Sequence, residues 1–95
     1  MDIVGMLAFI AYQLINIFIF IVIVGVVMSW LIAFNIINIR NQFVNMIWRT
    51  ANSLTEPVLR PVRQMLPNMG GIDISPLIVI IVLWAVQGYI LRPLL

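Results

Sequence analysis

The chain has 95 residues, of which 64% are hydrophobic and only 8% are charged, and its formal net charge is +2. A soluble domain is about 45–50% apolar and about 25% charged, so a chain this short cannot bury so much apolar surface in a core of its own. Without His or Cys, it lacks a disulfide framework and the usual ligands of zinc, haem and iron–sulfur sites. We therefore expect a membrane protein with no cofactor.

The first predicted element is an apolar run over residues 3–34 that contains no charge. The apolar part of a secretory signal is only about 7–15 residues long, whereas about 20 residues cross a bilayer. The run predicts an uncleaved transmembrane helix with its membrane core at about 10–33. Its excess length predicts a tilt, or first turns that lie in the interface or against a partner.

Two patterns in this helix suggest packing. Gly25, Ser29 and Ala33 recur at every fourth position, and small residues at that spacing let another helix approach closely. Gln13 and Asn16 are three residues apart and therefore share a face. A chance distribution of small and amide residues is the alternative in both cases.

A break is predicted over residues 34–40, where Asn35, Asn38 and Asn41 surround Arg40. The Asn side chain hydrogen-bonds to nearby backbone and so favours caps and turns. Amphipathic helices are predicted next, over residues 41–66.

The first part of that segment carries its apolar and polar residues on opposite sides of a 3.6-residue wheel. It is too polar to span a membrane, so we expect it to lie in the membrane surface. Phe43, Ile47 and Trp48 would then face the acyl chains. Docking against a partner protein is the alternative. Pro57, capped by Thr55 or Glu56, predicts the start of a further short helix.

A Gly/Pro-rich turn over residues 67–75 is predicted to lead into a second transmembrane helix over 76–92. Ser75 predicts the N-cap of that helix and Pro76 its first residue. Ala85 and Gly88 offer a small-residue face to the first helix.

The arginines predict the topology. Four of the five Arg residues lie between the two apolar runs: Arg40, Arg49, Arg60 and Arg63. The positive-inside rule places this middle segment in the cytoplasm and both termini across the membrane. In an antiparallel hairpin Gln87 lies near the depth of Gln13 and Asn16, so we expect an amide contact there.

The same four arginines are candidates for binding anionic lipid or a partner, because the guanidinium fork fits phosphate well. A role in topology alone is the alternative. Glu56 and Arg60 are spaced for a helical ion pair, and Arg63 and Asp73 could close the turn like a clasp. Independent solvated charges are the alternative to both pairs.

An enzyme is not expected from these residues. Ser75 has no His to serve as its base, and in a Ser-Pro sequence it is far more typical of a helix cap than of a nucleophile. Glu56 and Asp73 are too few and too far apart in sequence to predict an acid–base pair.

The segments 54–63 and 70–76, together with Ser29-Trp30 and Arg40-Asn41, resemble the YggT (YlmG) family of small integral membrane proteins. The chain corresponds to one two-span unit over residues 1–95, whereas some members carry two. Many members have Asn-Pro where Asn38 is followed here by Ile39. The positions that match the family motif are Glu56, Pro57, Arg60, Pro61, Arg63, Gly71, Asp73, Ser75 and Pro76.

The resemblance implies no established enzymatic activity. Members are linked to osmotic-stress tolerance, to envelope or division functions and, in plastids, to cytochrome maturation and to nucleoid or thylakoid organisation. That range implies a scaffold or assembly role. We therefore expect a bacterial inner-membrane scaffold, assembly factor or accessory subunit; an oligomeric pore linked to osmotic stress is the alternative.

The expected fold is all-α, with two transmembrane helices in an antiparallel hairpin. A cytoplasmic amphipathic helical segment and a Pro/Gly-rich turn join the two. The expected partners are membrane lipids, anionic ones included, and other membrane proteins. A homo-oligomer is a further option, and no direct contact with nucleic acid is expected.

Overall fold

The computed structural model describes residues 2–67 and 73–95, and within these ranges the chain is helical with no strand. The elements are α1 (Ile3–Ala33), α2 (Gln42–Met65) and α3 (Ser75–Ala85). After α3 the helix continues as a π-helical segment, Val86–Leu91, and a 3₁₀ turn, Arg92–Leu94.

Two stretches are long and apolar enough to cross a membrane, Ile3–Ala33 and Ser75–Leu94. They contain 31 and 20 residues, which corresponds to about 46 and 30 Å of α-helix. Only 11% and 17% of their most apolar windows are buried within the chain. Most of their apolar surface therefore faces outward, as expected of helices that contact lipid.

The ends of α1 are fixed by local hydrogen bonds. At its start the Asp2 carboxylate accepts a bond of 2.8 Å from the Gly5 N–H. At its end Asn35 adopts a positive φ of 59°, a left-handed conformation that Asn tolerates well at a helix C-terminus. The N–H groups of Phe34 and Ile36 bond back to carbonyls in the last turn. The predicted break after residue 34 is confirmed.

The second helix begins at an Asn cap. The Asn41 side-chain oxygen accepts from the N–H groups of Phe43 (2.9 Å) and Val44 (3.2 Å). This satisfies two of the four donors that a helix start leaves without intrahelical partners.

The prediction of a separate helix that starts at Pro57 is wrong, because α2 continues through Pro57 and Pro61 to Met65. Both prolines are exposed, whereas Ala51, Thr55 and Leu59 are buried at every fourth position. This buried stripe crosses the Pro57 position and holds both halves of the helix against the rest of the chain. Thr55 is not a cap, since its hydroxyl donates to the Ala51 carbonyl at 2.9 Å.

The start of α3 also differs from the prediction. Ser75 is the first helical residue and Ile74 occupies the N-cap position. The capping acceptor is Asp73, whose Oδ1 accepts from the Ser75 backbone N–H (3.0 Å) and hydroxyl (2.6 Å). The Asp73 carboxylate, and not the Ser75 hydroxyl, is therefore the side-chain acceptor at the start of α3. Pro76 lies in the first turn, as predicted.

The apolar core lies between α1 and α3, where Ile19 and Val22 pack against Ile80. Farther along the pair, Asn16 bonds to Gln87 and Tyr12 to Arg92. The contacts therefore run in opposite chain order along the two helices. The amphipathic helix α2 contacts both of them, and its buried stripe forms the third part of the core.

Candidate lipid- and partner-binding site

Four charged side chains form an ion cluster between the end of α2 and the start of α3: Glu56, Arg60, Arg63 and Asp73. The Arg63 guanidinium is central. Its Nε lies 3.2 Å from Asp73 Oδ2, and its two terminal nitrogens lie 3.1 and 3.3 Å from the two oxygens of Glu56. The predicted Arg63–Asp73 contact is confirmed, and the bidentate bond to Glu56 is additional.

The predicted Glu56–Arg60 pair is also confirmed, with 3.6 Å between Glu56 Oε2 and Arg60 Nε. Glu56 and Arg63 are seven residues apart, and two helical turns bring residues at that spacing to the same face. The spacing was available in the sequence, but the expectation of a helix start at Pro57 concealed it.

The cluster shifts two pKa values. Hydrogen bonding to Glu56 raises the pKa of Arg63 above its usual value, although partial burial opposes the rise, and the charge of Asp73 adds to it. For Asp73, burial by itself would raise the pKa. The hydrogen bonds from Ser75 and the charge of Arg63 outweigh burial, so the Asp73 pKa lies below its usual 3.8. Both groups are charged at neutral pH.

This cluster is electrically balanced, because two guanidinium groups meet two carboxylates. Arg60 and Arg63, which we predicted to bind lipid or a partner, thus have carboxylate neighbours within the chain. Arg63 ties the end of α2 to the start of α3 on either side of residues 68–72. Gly71, a predicted motif position, and most of the predicted 67–75 turn lie outside the described residues.

Arg40 and Arg49 are placed differently. Both are exposed, and among the described residues no carboxylate lies within ion-pair distance of either. Arg49 belongs to the polar face of α2, which consists of Gln42, Arg49, Ser53 and Arg60. Arg40 contributes to a cavity of about 390 Å³ in the segment between α1 and α2.

The helix α2 has an apolar side that the rest of the chain does not cover. This outer apolar face consists of Phe43, Leu54, Val58 and Met65, which are 42–83% exposed. Of the three residues predicted to face acyl chains, Phe43 is 66% exposed, whereas Ile47 and Trp48 are half-buried. Trp48 lies on the side of α2 that carries the buried stripe. Phe43 is therefore the strongest of the three candidates for a contact with acyl chains.

The small residues predicted to mediate packing separate into two groups. A Cβ atom at Gly25 would be in ordinary van der Waals contact with the Ala51 Cβ, at 3.9 Å, so Gly25 faces α2 and not α3. Ser29 and Ala33 are exposed. The predicted contact of Ala85 and Gly88 with the first helix is wrong. Ala85 is exposed, nothing lies within 4 Å of a Gly88 Cβ, and α3 instead presents Ile80, Leu83 and Gln87 to α1.

The predicted amide contact within the apolar region is confirmed for one of its two candidate partners. The Gln87 side chain is 4% exposed, and its Nε2 donates to Asn16 Oδ1 at 2.8 Å and to the Tyr12 carbonyl at 3.1 Å. Gln13 is exposed and has no part in this contact.

The sequence analysis missed two features near this amide contact, a π-helical segment and a bond between Arg92 and Tyr12. Gln87 lies in the π-helical segment Val86–Leu91, which is a rare widening of the helix. The Arg92 guanidinium also donates to the Tyr12 hydroxyl at 3.4 Å. The spacing of Tyr12 and Asn16, one turn apart, could have indicated a shared polar face.

The acidic side chains and the serine at these sites are engaged within the chain. Among residues 2–67 and 73–95, no three acidic, His or Cys side chains come together as a metal site would require. Ser75 is fully buried and its hydroxyl is bonded to Asp73. Of the other motif positions, Pro57 and Pro61 lie within α2 and Pro76 lies in the first turn of α3.

These features define a class of small all-helical protein. In this class two apolar helices, each long enough to cross a membrane, support an amphipathic helix that an ion cluster ties to the second of them. The CCB3/YggT family model matches residues 4–94, and the chain belongs to that family.

The curated relatives are bacterial proteins of uncharacterised function. The chain is 34% identical to a Pseudomonas aeruginosa protein over 79 residues, which are 83% of this chain and 36% of that protein. It is 32% identical to a Haemophilus influenzae protein over 72 residues, 76% of this chain and 35% of the relative. It is 50% identical to Escherichia coli YggT over 34 residues, 36% of this chain and 18% of the relative.

The matched part therefore spans about a third or less of these relatives' own length. No solved structure matches the chain.

Proposed function

We propose that this protein is a scaffold, assembly factor or accessory subunit of a larger complex in the bacterial inner membrane. The observation that supports this role best is the arrangement of α2. Its inner stripe is buried against α1 and α3, whereas its outer apolar face of Phe43, Leu54, Val58 and Met65 is open. A helix held firmly on one side and apolar on the other is suited to presenting a binding surface.

The placement in the membrane follows from charge and contact order. The helices Ile3–Ala33 and Ser75–Leu94 cross the bilayer as an antiparallel hairpin, in keeping with the opposite chain order of their contacts. Arg40, Arg49, Arg60 and Arg63 lie between them, so the positive-inside rule puts α2 in the cytoplasm and both termini on the other side. The bacterial origin of the relatives supports an inner membrane.

Different parts of the outer apolar face of α2 contact the membrane and a partner protein. A helix with one apolar and one charged side lies stably in the plane of the headgroups. Phe43 at its start and Met65 at its end would enter the lipid. The central part, at Leu54 and Val58, is the surface proposed for another membrane protein.

Transport receives less support than a scaffold role. A pore would need a continuous polar path, and polar residues in spans normally face such an interior. Asn16 and Gln87 are bonded to each other, whereas Gln13 is exposed and has no part in that contact. An enzymatic role is also not proposed, because the Ser75 hydroxyl, which is bonded to the Asp73 carboxylate, is fully buried.

The experiment that tests the proposal is purification of the full chain at native expression levels in a mild detergent or nanodiscs. Mass spectrometry then gives the size and composition of the particle. The proposal expects a larger complex with foreign subunits in fixed stoichiometry. A pure homo-oligomer of fixed number would reject it in favour of a pore, and a lone monomer would reject both.

A matched pair of variants locates the partner surface. Leu54→Ser with Val58→Ser changes the centre of the outer apolar face and should reduce the co-purifying subunit. Ser53→Ala with Gln64→Ala changes exposed polar positions of the same helix and should leave the complex intact. Equal effects of the two pairs would contradict the proposed surface.

Topology can be tested separately because the chain contains no Cys. A single Gln42→Cys variant should react with a membrane-impermeant thiol reagent from the cytoplasmic side. A Leu95→Cys variant should react from the opposite side. The reverse pattern would overturn the proposed orientation.

A further inference from the structure

The segment that joins α1 to α2 lines an open surface cavity of about 390 Å³ that no function described so far uses. Its lining combines apolar groups with two amides and one guanidinium. We call it the Arg40 cavity, and its lining residues are Ile32, Asn35, Ile36, Ile37, Asn38, Ile39 and Arg40. Its volume is within the range of small-molecule sites.

The polar groups of this cavity favour an anion. Arg40 is exposed, and no carboxylate in the described part of the chain pairs with it. The Asn38 oxygen is directed to the backbone, where it accepts from the Arg40 N–H at 2.9 Å. The two N–H donors of that amide, together with a guanidinium, complement negative charge.

The carbonyl groups at the end of α1 do not cancel this preference. The carbonyls of Trp30 and Leu31 accept from the N–H groups of Phe34, Ile36 and Ile37. Their lone pairs are thus partly engaged within the turn. The two acids closest in sequence, Glu56 and Asp73, are bonded to Arg63.

The lining also indicates which anion fits. A planar guanidinium binds phosphate oxygens in a bidentate manner, and four isoleucines supply an apolar wall. Ile36 in this wall is 66% exposed and the neighbouring Phe34 is 73% exposed, as expected for side chains that reach into acyl chains. A phosphate ester that carries an apolar tail matches both parts of the cavity.

We propose that the Arg40 cavity binds the phosphate group of an anionic lipid at the cytoplasmic face of the membrane. This inference rests on the proposed topology, which places the segment between α1 and α2 at that face. A soluble phosphate has the same recognition chemistry, and the test separates the two sources.

The test uses the full chain in phosphatidylcholine nanodiscs, titrated with phosphatidylglycerol and followed by native mass spectrometry. The wild-type chain should retain one phosphatidylglycerol. Asn38→Asp keeps the oxygen that accepts from the Arg40 N–H but introduces a carboxylate. Its affinity should fall about fivefold or more, because one charge near the headgroups changes binding by about that factor.

Asn52→Asp is the matched control. It introduces the same charge at a position about 15 Å along α2 from the first residue of that helix. The affinity for phosphatidylglycerol should therefore change less than about twofold. A second pair, Arg40→Lys and Arg49→Lys, keeps every charge but removes one guanidinium fork. Only Arg40→Lys should weaken binding, so simple topology control cannot account for that result.

The inference is overturned if the wild-type chain prefers phosphatidylglycerol no more than phosphatidylcholine. It is also overturned if Asn38→Asp and Asn52→Asp weaken binding equally, since that result indicates diffuse surface charge. A parallel titration with inorganic phosphate identifies the source. Saturable binding with the same dependence on Asn38 and Arg40 supports the phosphate site and assigns it to soluble phosphate.

Failure of this site can be distinguished from failure of the proposed scaffold role. The Leu54 and Val58 variants test the partner complex without changing the cavity. The Asn38 variant changes the cavity without changing the outer apolar face of α2. Loss of lipid binding with an intact complex rejects only the lipid site.

Discussion

Two polar regions connect the parts of this molecule, and they lie in very different surroundings. Gln87 is 4% exposed and bonds Asn16 between two apolar helices. Arg63 and Asp73 meet between the ends of α2 and α3 with side chains that are 43% and 42% exposed. The first region is an uncharged hydrogen bond in an apolar medium, and the second is an ion cluster open to solvent.

The same kind of polar contact has a different role in each medium. In an apolar environment an amide has few competing partners, so a single contact can fix the register of two helices. At the surface, water and salt compete with each ion pair, which then contributes about 0–1 kcal/mol. We therefore expect the ion cluster to act mainly through its capping bonds to Ser75.

The largest effect is expected at Asp73. Asp73→Ala removes the acceptor for both the N–H and the hydroxyl of Ser75, a residue that is fully buried. An unsatisfied buried hydroxyl costs about 1–3 kcal/mol and a lost cap costs about 1 kcal/mol. We expect a loss of about 2–3 kcal/mol in the free energy of unfolding, measured by circular dichroism during titration with SDS in mixed micelles.

Asp73→Asn separates capping from charge. The amide keeps one oxygen for the bonds from Ser75 but loses the attraction to Arg63. The loss should then be about 1 kcal/mol or less. Equal losses for Ala and Asn would show that the ion pair, and not the cap, dominates this region.

The contact between α1 and α2 at Gly25 and Ala51 gives the next effect. A leucine at position 25 would press on Ala51, whose Cβ lies 3.9 Å from the Gly25 Cβ position. Overpacking of this kind costs about 1–3 kcal/mol. Gly88→Leu is the control, since nothing lies within 4 Å of that Cβ position, and its effect should be within about 0.5 kcal/mol. Comparable losses in thermal unfolding would contradict this packing.

The amide contact should give a smaller effect that a double-mutant cycle can isolate. Gln87→Leu and Asn16→Leu should couple by about 0.6 kcal/mol, the average for hydrogen bonds between membrane helices. Gln87→Leu and Gln13→Leu should be additive, because Gln13 has no part in the contact. Coupling to Gln13 instead of Asn16 would mean that the register of α1 and α3 differs from the structure.

Strong local patterns made much of this fold predictable. The apolar runs predicted both long helices, and the Asn residues predicted the break between α1 and α2. The contact of Gln87 with Asn16 followed from depth alone, since few amides occur in the apolar runs. The Glu56–Arg60 and Arg63–Asp73 pairs followed from spacing and from the small number of acids.

The sequence reasoning failed where tertiary contacts override a local rule. Pro57 is a good first residue for a helix, but the buried stripe of Ala51, Thr55 and Leu59 keeps α2 continuous. Gly88 lies at a spacing suited to packing, although α3 faces α1 with another side. The Arg40 cavity depends on the path of several consecutive backbone groups, which no periodicity of side chains reveals.

A pH dependence of the stability is also expected from Asp73. Its pKa in the folded chain lies below the usual 3.8, so its ionised form is favoured by folding. That contribution is complete above about pH 3.8, the unfolded value, and is lost as the pH falls through the folded pKa. The unfolding free energy of the wild-type chain should therefore fall toward that of Asp73→Asn below about pH 4, by about 1 kcal/mol or less because the side chain is 42% exposed. Arg63→Gln, which keeps the bonds from Ser75, should show part of this fall. Parallel curves for wild type and Asp73→Asn down to pH about 3 would mean that folding does not favour the carboxylate.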